Sequence, residues 1–163
     1  MAKGNRIVVS PNPHGHKVEG IIGAGLTPSP GTILQIQAAT ALVGGRWTWE
    51  IYSPTGTDAA EPAGPFIVLC EDIPQGKTTT DAYAAGDRAF GYIPLPGDEL
   101  NLLVKNLSGT ADDHTKGEAL MVDDASGKMI AYVEGSKTKS AMLLETITDP
   151  VADTLSWCIW SGY

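Results

Sequence analysis

Glycine and proline are spread along the whole of this chain, and they limit its fold more than any other feature. The sequence has 19 glycines and 11 prolines among 163 residues. Both residue types disfavour long helices, because glycine loses the most conformational entropy on ordering and proline lacks a backbone donor. The segments between them are rich in Thr, Val and Ile, which favour strands. The sequence therefore predicts an all-β fold, a small single-domain barrel or sandwich of short strands.

Size and charge narrow the class of protein further. A mass of 17.1 kDa corresponds to one domain, and a net charge of −8 makes the chain acidic. Such a protein is repelled by phosphate backbones and anionic lipid, so we expect neither nucleic acid nor a membrane as a partner. No apolar run has the length of a membrane-spanning helix, and the N-terminus lacks the apolar core of a signal peptide. We expect a soluble protein made in a cytoplasm.

Eight short runs have the alternating or continuous apolar pattern of strands. They are residues 32–38, 46–52, 66–70, 90–93, 99–105, 119–122, 128–133 and 155–160. Residues 141–147 fit either a strand or one helical turn. Residues 53–65 and 106–116 are predicted loops, because they are polar or dense in Pro, Gly and Ala.

Residues 1–16 are predicted to form an extended arm ahead of a single β-rich domain, residues 17–163. Prolines 11 and 13 favour extended backbone, and the segment has few apolar residues with which to bury itself. Its β-branched patch, Ile7-Val8-Val9, could add as a strand to a sheet edge of another chain. The alternative is a floppy tail, since termini are often disordered unless tied down.

Three candidate ligand sites lack the residues that their chemistry needs. Gly76-Lys77-Thr78 follows an apolar strand, but the phosphate-loop pattern needs a glycine at position 71, which is Glu, and a following helix. His14 and His16 have the spacing of a metal pair on a strand, without a Cys or carboxylate cluster to complete a zinc site. The pairs 112–113 and 123–124 are Asp-Asp sequences without the alternating ligands of a calcium loop. We predict no metal and no cofactor.

Cysteine, tryptophan and serine give no catalytic pattern either. Cys70 and Cys158 are too few for a disulfide framework and are predicted to be buried. Trp47 and Trp49 share one face of a strand, which indicates a core or subunit interface or, alternatively, a sugar-stacking platform. No serine lies in a G-x-S-x-G turn. We expect a protein that is not an enzyme.

One region of the sequence is recognisable. Residues 81–100, DAYAAGDRAFGYIPLPGDEL, resemble a segment of the head decoration (capsid cement) proteins of tailed bacteriophages. The shared features are Tyr83 with a pair of small residues, Gly86-Asp87-Arg88 and Pro96-Gly97-Asp98-Glu99. Shorter similar fragments lie at residues 17–20, 30–31, 64–69, 116–120, 123–128 and 144–146, in the same order. The first fifteen residues and the Trp-rich C-terminus lie outside the resemblance.

The resemblance implies a structural virion protein on the outer surface of a phage head. It implies a β-rich homotrimer at threefold and quasi-threefold positions that clamps neighbouring subunits of the major capsid protein. On this interpretation the arm orders against the capsid, and the charged residues of the two turns form local ion pairs or contacts across a trimer. The candidate contact residues are Ile7, Val8, Val9, His14, His16, Lys17, Glu19, Asp87, Arg88, Asp98 and Glu99. The competing classes are a virion-displayed module that binds carbohydrate or a host surface and, with least support, a small hydrolase.

Overall fold

The structure is a computed structural model, and it describes most of the chain. The described residues are 6–37, 42–52, 65–106, 113–134, 139–148 and 152–161. Most of the predicted loop 53–65, the centre of the loop 106–116, Asp112 and the first five residues of the arm lie outside this part. In the described residues, no helix is long and apolar enough to cross a membrane.

The described chain forms ten strands and one short 3-10 turn, so the all-β prediction is confirmed. The strands are β1 (His16–Ile22), β2 (Ile33–Ile36), β3 (Trp47–Ile51), β4 (Ile67–Leu69), β5 (Arg88–Ile93), β6 (Glu99–Val104), β7 (Ala119–Val122), β8 (Met129–Ala131), β9 (Ala141–Leu143) and β10 (Thr154–Trp160). The 3-10 turn, Ile73–Gln75, follows β4. All eight predicted runs contain a strand, and the ambiguous residues 141–147 contain β9.

Two closed five-stranded barrels follow one another along the chain. The first has the strand order β1-β3-β2-β4-β5, and the second has the order β10-β6-β8-β7-β9. Each barrel closes through one parallel pair, β1 with β3 and β6 with β8. Closure by five short strands places an inward side chain at alternate positions of each strand.

Strand β1 was not predicted, because Gly20 interrupts its sequence and glycine disfavours strands. Its one glycine is required by packing: a Cβ on Gly20 would lie 2.2 Å from Cε2 of Trp49. Gly91 on the neighbouring β5 is also restricted, since its Cβ would lie 2.4 Å from Cγ2 of Ile67 and 3.0 Å from Cη2 of Trp49. Glycine in a strand marks such a close approach. The indole of Trp49 thus fills the first barrel where two strands have no side chains.

The barrels are joined by a shared core and by direct backbone hydrogen bonds. The larger core cluster contains residues of both barrels, among them Val68 and Tyr92 from the first and Leu102 and Leu120 from the second. The Ile33 N–H donates to the Gly127 carbonyl (2.7 Å), and the Leu103 N–H donates to the Gly31 carbonyl (3.1 Å). An aromatic chain of Tyr52, Phe66 and Trp160 also crosses the junction, with centroids 4.5 and 5.1 Å apart.

Residues 6–15, here called the strap, run along the second barrel before the chain enters the first. The strap packs against its own chain. Val8 bridges Leu100 of β6, and Ile7 is fully buried in the larger core cluster. The prediction that this apolar patch cannot bury itself is therefore wrong. The hydrophobic effect favours covering Ile7 in the groove beside β6.

Candidate functional site

The Pro-Gly-Asp-Glu motif forms the connection between the two barrels, and Asp98 is its centre. Its carboxylate, 0% exposed, accepts hydrogen bonds from the N–H groups of His14 (2.9 Å), Gly15 (3.1 Å) and Leu95 (2.9 Å). The Tyr92 hydroxyl donates to the same carboxylate at 2.7 Å. One side chain therefore joins the strap, β5 and the turn that leads into β6.

The electrostatics of this cluster favour an ionised Asp98. Burial raises the pKa of Asp98, but the N–H groups of His14 and Leu95, the Tyr92 hydroxyl and the Gly15 N–H more than offset it, so its pKa lies below the ordinary value. Burial, followed by the hydrogen bond to Asp98, raises the pKa of Tyr92 far above the ordinary tyrosine value. Several hydrogen-bond donors around a buried carboxylate favour its ionised form. The contact predicted for Asp98 is therefore met inside this chain.

The Gly-Asp-Arg motif forms a second turn at the other end of β5. The Ala84 N–H donates to Oδ2 of Asp87 (2.8 Å), and the Asp87 carbonyl accepts from the Ile22 N–H (2.9 Å). Gly86 and Gly97 both have positive φ, +84° and +94°, as the turn interpretation of the two motifs expects. The carboxylate of Asp87 also lies 3.6 Å from Nζ of Lys77. This turn attaches β5 to the end of β1.

Glu19 and Arg88 meet on the outside of the first barrel. Nε of Arg88 lies 3.4 Å from Oε1 of Glu19, and Arg46 donates to the same oxygen. The side chains of Glu19, Arg46 and Arg88 are 31%, 37% and 42% exposed. Arg46 was not among the predicted site residues, although its position directly after Gly44-Gly45 is a hairpin signal.

The remaining candidate contact residues near the N-terminus lie in the strap or at the start of β1. His14 lies in the strap, with Nδ1 at 3.5 Å from Asp98, and His16 and Lys17 begin β1; all three are exposed. In the ranges that the structure describes, no group of three or more His, Cys, Asp or Glu residues could hold a metal ion.

Glu99 and the N-terminal patch lie side by side. The Val9 and Ser10 N–H groups donate to the Glu99 carbonyl at 2.9 and 3.1 Å, and the Ser10 hydroxyl accepts from the Glu99 N–H. Oε2 of Glu99 accepts from the indole N–H of Trp157 at 3.0 Å. Val8 and Val9 are half-buried here. The Ile7-Val8-Val9 patch thus uses the edge of its own β6, and the prediction that it is free to join another chain's sheet is corrected.

The cysteines are buried as predicted, and the tryptophans differ from one another. Burial raises the pKa of both Cys70 and Cys158 to about 12, so neither is a ready thiolate. Trp49 and Trp160 are buried, whereas Trp47 is 50% exposed. The shared face of Trp47 and Trp49 therefore continues from the core to the surface.

Comparison of the sequence with known proteins gives no match. No protein-family model matches the chain, and no curated protein matches it.

Proposed function

We propose that this protein is a structural, non-enzymatic virion component that binds the outer surface of a phage head. On this proposal it is made in the host cytoplasm, assembles as a homotrimer at threefold and quasi-threefold positions, and stabilises the head by clamping neighbouring major capsid subunits. The observation that carries the proposal is the ordered likeness to head decoration proteins. Two of the similar fragments, Gly86-Asp87-Arg88 and Pro96-Gly97-Asp98-Glu99, lie at the two ends of β5.

The positions of those motifs support a mechanical role. The Pro-Gly-Asp-Glu turn connects the barrels, and its Asp98 binds the strap as well. A clamp has to transmit force between the subunits that it joins, so its parts must not move independently. Two barrels with a common core and a buried carboxylate at their connection suit that demand.

The surface of the molecule supports an exterior position on the head. Its net charge of −8 disfavours contact with packaged nucleic acid.

The two thiols are buried with raised pKa values, which supports a role without nucleophilic chemistry.

Exposed Trp47 favours a second candidate, a virion-displayed module that binds carbohydrate or a host surface. An indole that is half exposed on a rigid strand can stack on the apolar face of a sugar. This candidate predicts a binding partner outside the virion, whereas the clamp predicts one within it.

Particles of the encoding phage, prepared with and without the protein, separate the two candidates. After a heat or low-salt shock, heads that carry the protein should retain their genome and bare heads should lose it. Equal retention by both heads, together with loss of glycan or host binding by bare particles, would instead support the second candidate. A capsid map showing one isolated copy per site would contradict the trimer.

A further inference from the structure

A short hairpin at the start of β3 holds three large apolar side chains in solvent. This apolar tip comprises residues 42–47. Leu42, Val43 and Trp47 are 50%, 55% and 50% exposed. Three exposed large apolar side chains within six residues of one hairpin mark a candidate interaction site, unlike apolar groups that are scattered singly.

The apolar tip is held rigidly. Val43 and Arg46 exchange two backbone hydrogen bonds, of 2.9 and 3.1 Å, around Gly44 and Gly45. Both glycines have positive φ, +58° and +79°, as a two-residue type I′ hairpin requires. Arg46 is also bound through its side chain to Glu19 of β1. A surface ordered before binding loses less entropy when it binds.

The charge beside the tip is opposite in sign to that of the chain. Glu19 contacts both Arg46 and Arg88, and one carboxylate can neutralise only one of two guanidinium charges. The exposed Lys17 lies two residues before Glu19 on β1. Three other cations of the described chain, Lys77, Lys105 and Lys128, each pair with an aspartate of their own. Among the described residues, an excess of positive charge thus adjoins the tip of a protein whose net charge is −8.

We propose that the apolar tip and the Arg46–Arg88 pair form the surface that docks on the capsid protein, where that protein presents a carboxylate beside an apolar depression. This inference rests on the proposed function and names the surface responsible. Tryptophan and arginine are the residue types that most often dominate binding energy at protein interfaces. A symmetric contact between two copies of this face is disfavoured, because it would place arginines against arginines.

Two variants and two matched controls test the proposal on heads assembled without the protein. Trp47→Ser removes the largest apolar group of the tip, and Arg88→Glu reverses one charge of the adjoining Arg46–Arg88 pair; these two are the tip variants. Val133→Ser removes a side chain that is 57% exposed on the second barrel, and Lys116→Glu makes the same charge change at an exposed site there. Circular dichroism and thermal melting establish that all four variants are folded before binding to heads is titrated.

The expected result is loss of affinity confined to the tip variants. Trp47→Ser should weaken binding about thirtyfold, the loss expected for an interface hot spot. Arg88→Glu should weaken binding about tenfold and remove most of its salt dependence, because it removes the attraction to the partner carboxylate. Both controls should bind within about twofold of the unmodified protein.

The alternative outcomes are distinct from one another. If the unmodified protein binds heads and the tip variants bind equally well, the docking surface is refuted and the proposed function stands. If the controls lose as much affinity as the tip variants, the inference also fails. If the tip variants occupy heads normally but no longer self-associate in sedimentation, the occupant is a second copy and the proposal is wrong. If the unmodified protein does not bind heads, the proposed function fails and this inference with it.

Discussion

The two barrels have the same number of strands but are stabilised in different ways. The first has an interior of its own, a separate core cluster around Trp49, and its β1–β5 pair runs over six residue positions. The second closes between β6 and β8 at a single residue pair, Val104 with Met129. Its interior belongs to the cluster that also includes Ile7 and residues of the first barrel.

This difference teaches that a closed sheet need not be an independent domain. The first half of β6 pairs with the strap instead of β8. In its second half, the Leu103 N–H donates to the Gly31 carbonyl, which precedes β2 of the first barrel. Backbone groups of a strand must be paired when buried, and here the partners come from outside the second barrel. We therefore expect the second barrel to depend on the first and on the strap.

The largest effect is expected from Trp49→Ala. Trp49 is 1% exposed, and the glycines that face it cannot fill the space that its indole would leave. The free energy of unfolding should fall by about 3–5 kcal/mol, measured by urea titration followed by circular dichroism.

Trp47→Ala is the matched control, because it removes the same side chain from the same strand at a 50% exposed position. Hydrogen exchange then sharpens the comparison. If the barrels are coupled, the amides of β6 in Trp49→Ala should lose protection from exchange together with those of β2. Protection retained in β6 alone would show that the second barrel is independent.

Ile7→Ala tests whether the strap is part of the second barrel. Ile7 is 0% exposed, and its removal should cost about 2–5 kcal/mol through lost burial and a residual cavity. Exchange should increase first in β6 and β8, next to the strap. Val133→Ala, exposed on the same barrel, is the control. Equal stability of the two variants would mean that the strap is a free arm after all.

Asp98→Asn tests the connection between the barrels through its pH dependence. The substitution should cost about 2–3 kcal/mol at neutral pH, because hydrogen bonds to a charged group are lost or weakened. The pKa of Asp98 is lowered in the folded protein. Its contribution is therefore fully present above the unfolded pKa, near 4, and is lost as pH falls through the lower folded pKa.

The difference in stability between the unmodified protein and Asp98→Asn should accordingly shrink below about pH 4. Urea titrations between neutral pH and pH 3 measure it. Asp87→Asn, at the turn on the other end of β5, is the control and should have a smaller effect because Asp87 is half-buried. A difference that does not change with pH would contradict the ionised state of Asp98.

The smallest effect concerns the backbone contact between the barrels. A Cβ on Gly127 would lie 2.4 Å from the Ile33 carbonyl oxygen, and φ is +66°. Gly117→Ala is the control, since its φ is +90° and nothing lies within 4 Å of a Cβ there. Gly127→Ala should lower the free energy of unfolding by about 1 kcal/mol more than Gly117→Ala does. This is the contribution of the hydrogen bond from the Ile33 N–H to the Gly127 carbonyl. Equal melting temperatures of Gly127→Ala and Gly117→Ala would argue against tight backbone contact between the two barrels at Gly127.

The sequence by itself determined the fold class and most strand positions. Turn residues and apolar patterning are local signals, and they located β2 to β8 and β10 because each pattern reports which side chains of one segment are buried. β1 was missed because Gly20 is required by the packing of Trp49, a residue 29 positions later in the chain. The two motif turns were found for the same local reason, since their glycines adopt positive φ.

Only the tertiary structure decided what those elements pair with. The parallel pairs that close the barrels, the burial of Ile7 beside β6 and the convergence of His14, Tyr92 and Asp98 all join segments that are distant in sequence. No local pattern carries that information, because pairing between distant segments depends on the energy of the whole packed chain. The apolar tip is the reverse case. Its hairpin is encoded locally by Gly44-Gly45, but its exposure became visible only when β3 was placed in a barrel that leaves Trp47 outside.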